Sequence, residues 1–253
     1  MQLTGFDGKI ALVSGAGGGI GAAMVARLLD AGAIVIATDR DCPALEPHPR
    51  LFTFILDVTN AAEVDGVVAQ VEADHGPIDL GISLAGVLAT GLVTETTDQE
   101  WRRVFSVNTD GVFHLTRALA RVMGPRGRGN MVAVSSNAAG VPRHGMAAYA
   151  ASKAAVTMYM RCLGLELAPL GIRCNVVAPG STRTPMQTGM WADPSGEAAV
   201  IAGFPAQFKP GIPLGKIAEP ADIANAVMFL LSDQAGHVTM ADLFVDGGAT
   251  QQA

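Results

Sequence analysis

Short apolar runs alternate with longer helical stretches along this whole sequence, and this alternation constrains the fold more than any other feature. The runs are continuously apolar rather than alternately apolar and polar, which is typical of parallel strands covered on both faces. Strands are predicted at residues 10–14, 33–38, 51–56, 78–84, 130–135, 173–178 and 243–245. Helices are predicted at residues 20–31, 61–75, 98–123, 147–167 and 220–232. The pattern therefore predicts an α/β fold with a Rossmann-type, doubly wound parallel sheet flanked by helices.

The 253 residues are expected to form a single domain, residues 1–253, because no linker or low-complexity stretch interrupts the alternation. One segment departs from the pattern, since residues 181–215 contain five prolines and five glycines. It follows the end of a predicted strand, which is where folds of this class bind ligands. We interpret it as an insertion that faces the substrate and has short helices of its own. A flexible connector is the alternative.

Composition and charge argue against several classes of function. The net charge of −6 and the isoelectric point of 5.3 argue against a nucleic-acid partner, since phosphate binding requires a basic surface. No apolar run approaches the ~20 residues of a transmembrane helix, so no membrane association is expected. Residues 1–8 lack the apolar core of a secretion signal. Cys42, Cys162 and Cys174 lack the spacing of metal ligands, which predicts reduced thiols in a cytoplasmic protein.

A glycine-rich turn joins the first predicted strand to the first predicted helix. Gly15, Gly19 and Gly21 follow the strand directly in the spacing G-x-x-x-G-x-G, and Ile20 lies between the last two. Glycines let the backbone turn tightly and approach a pyrophosphate, and the helix N-terminus offers free N–H groups. Because the turn lies between a strand and a helix, these four residues predict a dinucleotide-binding site.

Two carboxylates follow the next two predicted strands. Asp39 lies about 20 residues after the glycines, where an acid can accept hydrogen bonds from a ribose diol. It would repel a 2′-phosphate, so NAD is predicted rather than NADP, although the adjacent Arg40 weakens that preference. Asp57 is expected to accept a hydrogen bond from the adenine amino group. A role as a helix N-cap is the equally supported alternative for Asp57.

Tyr149 and Lys153 are four residues apart in a predicted helix, so their side chains lie on the same helix face. An ammonium group beside a phenol favours the phenolate and lowers a pKa that starts near 10. The pair is then able to exchange a proton with an alcohol near neutral pH. The alternative is an exposed tyrosine that packs on the lysine stem.

These features together resemble the short-chain dehydrogenase/reductase family over the whole chain. Its glycine turn and its Y-x-x-x-K pair are matched, and Asp246 begins its C-terminal D-G-G signature. The resemblance implies that Asn108, Ser136, Tyr149 and Lys153 are catalytic, and that Tyr149 and Lys153 also contact the cofactor. It further implies a nicotinamide contact made by Pro179, Gly180, Thr182 and Thr184. One departure is Ser83, where the family usually has asparagine.

The mechanism that the resemblance implies is a hydride transfer from an alcohol to NAD. Ser136 would bind the reacting hydroxyl group, and Tyr149 as phenolate would take its proton. Lys153 would lower the pKa of the tyrosine and bind the nicotinamide ribose. Asn108 would connect the lysine, through a water molecule, to a proton path.

Residues 141–149, 173–182, 207–217 and 220–225 resemble, within the family, the members that oxidise a carboxylated cyclohexadiene diol in catecholate siderophore biosynthesis. Such a substrate needs a cation, and Arg143 is the first candidate because a guanidinium group can bind a carboxylate through two hydrogen bonds. A surface arginine is the alternative. Met186 and Gln187 are candidates for the substrate wall, although a methionine-rich segment equally suits subunit packing.

Other functions remain open at this point. The chain could act on a different alcohol or ketone, such as a 3-oxoacyl thioester or a sugar, or it could be a non-catalytic nucleotide sensor. Arg126 and Arg128 are the only nearby pair of cations for an acyl-carrier partner. The family resemblance also implies a homotetramer built on the helices predicted at residues 98–123 and 147–167.

Overall fold

The computed structural model describes residues 2–191, 193 and 195–250. In this part of the chain, seven parallel strands form one sheet. The strands are β1 (Ile10–Ser14), β2 (Ile34–Asp39), β3 (Leu51–Ile55), β4 (Ile78–Ser83), β5 (Gly129–Val134), β6 (Ile172–Pro179) and β9 (Asp242–Val245). Their order across the sheet is β3-β2-β1-β4-β5-β6-β9. Each predicted strand is confirmed with both ends within one residue, and the predicted fold class is confirmed with them.

Helices cover both faces of the sheet. They are α1 (Gly19–Asp30), α2 (Ala61–Asp74), α3 (Asp98–Phe105), α4 (Gly111–Met123), α5 (Ala147–Leu167) and α8 (Pro220–Leu231). Side chains alternate between the two faces of a strand, so Leu12 packs towards α2, α4 and α5 while Val13 packs towards α1 and α8. The sheet is therefore enclosed between two apolar layers, which explains its continuously apolar strands.

The edge strand β3 is the exception to this burial. Its Phe52 and Ile55 side chains are exposed, and Ile55 retains 68% of its accessible surface. The interior strand β1 is buried along its full length. The apolar composition of β3 therefore did not predict coverage on both faces.

The helix predicted at residues 98–123 is continuous, but its middle is not α-helical. A π-helical turn, Ser106–Asp110, separates α3 from α4 and contains the buried Asn108. Such turns often occur at functional sites because they rotate one side chain away from the regular helical position. No periodicity in the sequence predicted this change.

Residues 181–215 follow β6 and contain their own short elements. These are α6 (Pro185–Thr188), α7 (Gly196–Ala202) and the antiparallel strands β7 (Gly203–Phe204) and β8 (Lys209–Pro210). A bridge between Thr182 and Ala218 joins the start of the segment to the chain that follows it. A small apolar cluster that includes Val200, Ile212 and Trp191 forms its interior.

The strand order reverses between β1 and β4, which lie side by side although β2 and β3 come between them in the chain. In open parallel sheets, ligands bind at such a reversal, beyond the carboxyl ends of the strands. None of the described helices combines the length and the apolar character that crossing a bilayer requires.

Candidate active site

Two connected cavities lie beyond the carboxyl ends of the strands. The larger, of about 660 Å³, extends along the glycine turn and past Asp39 and Asp57. The smaller, of about 170 Å³, lies over Ser136, Tyr149 and Lys153. Ile20, Leu84, Gly86, Val134, Thr184 and Met186 line both cavities. A ligand in the larger cavity can therefore present one end to the smaller one.

The glycine turn is packed so closely that side chains are excluded from it. Gly15 has a φ of +72°, and a Cβ atom there would lie 2.5 Å from the backbone nitrogen of Ala85. A Cβ atom on Gly21 would lie 2.1 Å from the carbonyl oxygen of Gly15. Helix α1 begins after Gly18 without a side-chain cap, so its first N–H groups face the larger cavity. This geometry fits the pyrophosphate of a dinucleotide.

The Asp39 carboxylate is tied to the same turn. Its Oδ2 accepts a hydrogen bond from the Gly17 nitrogen at 2.9 Å, and its Oδ1 accepts one from the Arg40 nitrogen at 2.8 Å. The guanidinium of Arg40 lies 3.4 Å from Asp41, so its charge is paired with a neighbouring acid. Both Asp39 and Arg40 line this end of the cavity, and only the Asp39 carboxylate is bonded to the glycine turn.

Asp57 also lines the larger cavity, but the cap of the following helix is a different residue. The side chain of Asn60 accepts from the nitrogens of Ala62 and Glu63 and thus caps α2. The Asp57 carboxylate accepts from the backbone and hydroxyl groups of Thr59 at 2.9 and 2.8 Å. The alternative role of Asp57 as the N-cap is therefore wrong.

Tyr149 and Lys153 lie one turn apart near the start of α5 and face the smaller cavity. The Lys153 ammonium is buried and donates a 3.0 Å hydrogen bond to the carbonyl oxygen of Val134. Its Nζ atom lies 5.9 Å from the centroid of the Tyr149 ring. Ser136 follows the end of β5, and its Oγ accepts from the Ala138 nitrogen at 3.1 Å.

The acidity of this pair differs from the sequence-based expectation. Burial raises the pKa of Tyr149 above its usual value, and a hydrogen bond with Ser136 opposes that rise. Burial also lowers the pKa of Lys153 to about 8. The expected lowering of the tyrosine pKa is thus wrong for the chain by itself, because loss of solvent disfavours the charged form of both groups.

Asn108 connects the π-helical turn to α5 and to the loop after β4. Its Oδ1 accepts from the Val87 nitrogen at 2.8 Å, and its Nδ2 donates to the Val87 carbonyl and to the Ser152 hydroxyl at 3.0 Å each. A Cβ atom on Gly86 would lie 3.4 Å from Lys153 Nζ and 3.5 Å from Asn108 Oδ1. Gly86 therefore lies in van der Waals range of both polar groups.

Ser83, where the family usually has asparagine, is buried at the end of β4. Its strand partner is Ser14, and the next nitrogen along, that of Leu84, donates to the Ser14 carbonyl oxygen at 3.1 Å. The paired hydrogen bonds between Asn108 and Val87 hold the loop that follows. The departure therefore leaves the loop anchored.

The four residues assigned to the nicotinamide by resemblance lie together after β6. Pro179, Gly180, Thr182 and Thr184 line the smaller cavity, and Thr184 also borders the larger one. The Thr184 hydroxyl caps α6 by accepting from the Gln187 nitrogen at 3.3 Å. The four residues therefore line the smaller cavity, and Thr184 lies where the two cavities join.

Arg143, Met186 and Gln187 also line the smaller cavity, so all three candidate substrate residues are brought together there. Arg143 comes from the loop before α5, and the other two come from α6. Burial lowers the pKa of the Arg143 guanidinium, and the charge of Asp246 opposes this effect. Lys209 lines the cavity as well, although no sequence pattern predicted it as a site residue.

Comparisons with known proteins agree with this geometry. A family model described as enoyl-(acyl carrier protein) reductase matches residues 15–250. The 2,3-dihydro-2,3-dihydroxybenzoate dehydrogenase of Bacillus subtilis is 49% identical over 260 residues, which covers 99% of each chain. The enzyme of the same name from Escherichia coli is 43% identical, over 97% of this chain and 98% of its own.

Among solved structures, the ligand-free aldohexose dehydrogenase of Thermoplasma acidophilum is similar over 100% of this chain and 98% of its own. The TM-score is 0.88 and the sequence identity is 27%. The similarity therefore extends over both the glycine turn and residues 181–215.

Proposed function

Because this chain belongs to the short-chain dehydrogenase/reductase family, we propose that it oxidises a ring alcohol with NAD, namely 2,3-dihydro-2,3-dihydroxybenzoate to 2,3-dihydroxybenzoate. The family is one of oxidoreductases that use a nicotinamide nucleotide. The observation that carries the proposal is one small cavity that combines the proton-transfer group Tyr149 with the cation of Arg143. A carboxylated alcohol needs both. Catecholate siderophore biosynthesis is the pathway to which this reaction would belong.

The larger cavity fits the dinucleotide. Gly15, Gly19, Ile20 and Gly21 would hold the pyrophosphate, while Asp39 would bind the adenosine ribose and Asp57 the adenine. When bound, the nucleotide accepts the hydride that leaves the substrate carbon. NAD is favoured over NADP because the Asp39 carboxylate faces this end and Arg40 is already paired with Asp41.

The proton transfer follows from the hydrogen bonds of the chain's own residues. The Ser136 oxygen accepts from the Ala138 nitrogen, and its hydroxyl hydrogen, which is directed to Tyr149 in the free site, would be donated to the oxygen of the reacting alcohol. Tyr149 would then take the proton of that alcohol. Since burial raises the tyrosine pKa, the phenolate depends on positive charge close to the phenol. Lys153 is the nearest source in the chain, and it would also bind the nicotinamide ribose.

Asn108 positions these groups rather than reacting itself. Its amide holds Val87 on one side and the Ser152 hydroxyl on the other, which fixes α5 against the loop after β4. Pro179, Gly180, Thr182 and Thr184 would bind the nicotinamide carboxamide at the junction of the cavities. Oriented reactants of this kind account for much of the rate enhancement in such reactions.

The ring of the substrate would lie between Met186 and Gln187 on one side and Ser136 on the other. Its carboxylate would bind Arg143, whose planar guanidinium suits two parallel hydrogen bonds. Loss of the hydride from the ring carbon to the nucleotide, and of the hydroxyl proton to Tyr149, would leave a dienone that tautomerises to an aromatic ring, so the oxidation is strongly favourable. The segment 181–215 is accordingly proposed to be the substrate-binding insertion of a single domain.

The alternative of an acyl-carrier substrate has less support. Arg126 pairs with Glu72, and Arg128 lies 3.6 Å from Asp79, so neither cation is free to bind an acidic partner. Both arginines precede β5, at the opposite end of the strand from the cavity. A purely nucleotide-binding role is also less well supported, since it would not require Tyr149 beside Lys153.

Assembly and location belong to the same proposal. A homotetramer is supported by exposed apolar side chains on the helices at residues 98–123 and 147–167. These side chains are Trp101, Phe113, Met158 and Leu165. A cytoplasmic location is supported by Cys42, Cys162 and Cys174, which form no disulfide. Sedimentation analysis would test the assembly.

The experiment that tests the proposal is NADH formation, followed by absorbance, with NAD and 2,3-dihydro-2,3-dihydroxybenzoate near neutral pH. Parallel reactions would use NADP and a dihydrodiol without the carboxylate. Turnover that requires both NAD and the carboxylate supports the proposal. If the protein oxidises unrelated alcohols but does not oxidise the carboxylated diol, the proposed substrate is contradicted.

The matched variants for this assay are Tyr149→Phe and Tyr159→Phe. Tyr159 lies on the same helix, but its hydroxyl group is hydrogen-bonded, at 2.9 Å, to the hydroxyl group of Thr116 on α4. It does not line the smaller cavity. We expect Tyr149→Phe to lower kcat by about 100-fold or more while NAD still binds. Tyr159→Phe should retain nearly full activity. Activity retained in Tyr149→Phe would exclude the phenol as the proton acceptor.

A further inference from the structure

Two positively charged side chains from different parts of the fold line the smaller cavity. Arg143 lies on the loop that enters α5, and Lys209 lies on β8 in the segment 181–215. Both side chains are half-buried. Like charges that lose solvent in the same cavity repel each other, and this costs free energy unless an anion joins them.

The charge of neither side chain is neutralised by a close carboxylate. Among the described residues, no ion pair within 4.0 Å involves Arg143 or Lys209. Asp246 is the acid whose charge acts on Arg143, but its two oxygens already accept from the Asn137 side chain and the Gly248 nitrogen. Burial and the charge of Arg143 both lower the pKa of Lys209. The cavity therefore carries unbalanced positive charge.

Arg183, the other cation among residues 181–215, is paired with carboxylates of the fold. Its two terminal nitrogens each lie 2.8 Å from the Glu197 carboxylate, and its Nε lies 2.8 Å from Glu219. Within residues 181–215, one cation is thus matched by two acids while the other, Lys209, faces a second cation. This contrast assigns Lys209 to a ligand rather than to the fold.

The hairpin that carries Lys209 is built under backbone constraint. Phe208, a non-glycine residue, has a φ of +54° and is 95% exposed, whereas the next residue lines the cavity. A Cβ atom on Gly203 would lie 2.5 Å from the Gly211 nitrogen, so the opposing strands approach very closely. The Lys209 ammonium lies 5.4 Å from the ring centroid of Phe204, across the hairpin. Such constraint holds a side chain in a defined direction and often marks functional sites.

We propose that Lys209 is a second substrate-binding residue, which binds the ring carboxylate together with Arg143 and thereby selects carboxylated over neutral diols. This inference rests on the proposed function and deepens it. The carboxylate would lie between the loop before α5 and the hairpin, with the ring directed towards Ser136 and Tyr149. Both oxygens of the anion would accept from the guanidinium, and one of them would also accept from the ammonium.

The test compares Lys209→Gln with Lys216→Gln. The second variant removes the same charge from an exposed position a little further along the same chain. Dissociation constants would be measured calorimetrically for 2,3-dihydroxybenzoate and for catechol, with the reduced cofactor present. We expect Lys209→Gln to weaken binding of the carboxylated ligand about tenfold to a hundredfold and to leave catechol binding unchanged. Lys216→Gln should alter neither, and Lys209→Arg should restore much of the loss.

Arg143→Gln and the double variant complete the test, because two residues that bind one carboxylate are expected to be non-additive. Equal weakening of both ligands by Lys209→Gln would show a packing role and overturn the inference, as would unchanged binding of both. The binding assay requires no turnover, so it decides the role of Lys209 even if the diol is not oxidised. Absence of diol oxidation alone would count against the proposed function instead.

Discussion

The glycine turn and the segment 181–215 form two sides of one site, but they are held in opposite ways. The turn is held by close backbone packing, since a Cβ atom on Gly21 would lie 2.1 Å from the Gly15 carbonyl oxygen and one on Gly15 would lie 2.5 Å from the Ala85 nitrogen. The segment is held by one backbone bridge and by ion pairs between side chains. The bridge joins Thr182 to Ala218, and the ion pairs are those of Arg183.

This difference explains why the two sides can serve different purposes. A turn without side chains makes only backbone contacts, and these suit a pyrophosphate that is the same in every reaction cycle. A segment built from side-chain contacts can change its lining without disturbing the sheet, which suits the selection of a substrate. Substitutions should therefore have large effects on folding and nucleotide binding in the turn, and small, substrate-specific effects in the segment.

The largest expected effect comes from Gly21→Ala, which places a methyl group against the Gly15 carbonyl oxygen. We expect the free energy of unfolding to fall by at least about 3 kcal/mol, because the buried backbone must move apart. Urea denaturation of the protein without ligand would measure this change, and NAD binding should be lost with it.

The matched control is Gly18→Ala, in the same turn. Its Cβ atom would contact only the Gly15 carbonyl oxygen, at an ordinary 3.5 Å. Its unfolding free energy should stay within about 0.5 kcal/mol of the parent protein. Similar losses in the two variants would show that the close packing at Gly21 is not what stabilises the turn.

A smaller effect on the free energy of unfolding, and one that depends on pH, is expected from substitution of Lys153, which lines the smaller cavity. Its pKa is lowered from 10.5 to about 8, so the folded protein carries a buried ammonium at a cost below pH 8. Between about pH 8 and pH 10.5 the unfolded chain binds the extra proton, and stability rises with pH. Lys153→Met removes this cost and should be more stable than the parent protein near neutral pH.

The measurement is urea denaturation of both proteins at about pH 7 and at about pH 9.5. The excess unfolding free energy of the variant over the parent protein should be about 2 kcal/mol smaller at the higher pH. Other titrating groups cancel in the difference between the two proteins. A difference that is constant with pH would mean that the lysine has an ordinary pKa in the folded protein.

The smallest effect is expected from Arg183→Gln, which removes the ion pairs with Glu197 and Glu219. Because these pairs are exposed, we expect KM for the diol to rise only about twofold to fivefold, while KM for NAD stays unchanged. Steady-state kinetics would test this, and limited proteolysis should cut the segment faster in the variant.

Arg121→Gln is the control for that variant, since it removes an exposed ion pair between Arg121 of α4 and Asp65 of α2, away from the segment. It should change neither KM. An equal rise in KM for NAD and for the diol in Arg183→Gln would contradict the separation of the two sides.

Much of the fold was predictable because its signals are local. Hydrophobic runs predicted every strand of the sheet to within one residue, and the helix at residues 147–167 was predicted with both of its ends. The π-helical turn at residues 106–110 was not predictable, because it depends on the contacts that Asn108 makes with Val87 and Ser152. Those partners are 21 and 44 residues away in the chain.

The site was predictable to the extent that its residues belong to short motifs. Gly15, Tyr149 and Lys153 were selected by their spacing together with the other motifs of the family, and the structure brings them to one pair of cavities. The direction of the Tyr149 pKa was wrong, because spacing indicates which charges are close but not how much solvent is lost. Lys209 was not selected, because its position depends on a hairpin that no periodicity predicts.

The sequence by itself determined the order of strands and helices along the chain and the glycine turn, and it placed Tyr149 and Lys153 on one face of a helix. Each of these follows from the steric and periodic properties of neighbouring residues. The tertiary structure decided which charges meet in the small cavity and how far burial shifts their pKa values. Burial and long-range electrostatic interactions arise from segments that are distant in the chain, so they exist only once the chain has folded.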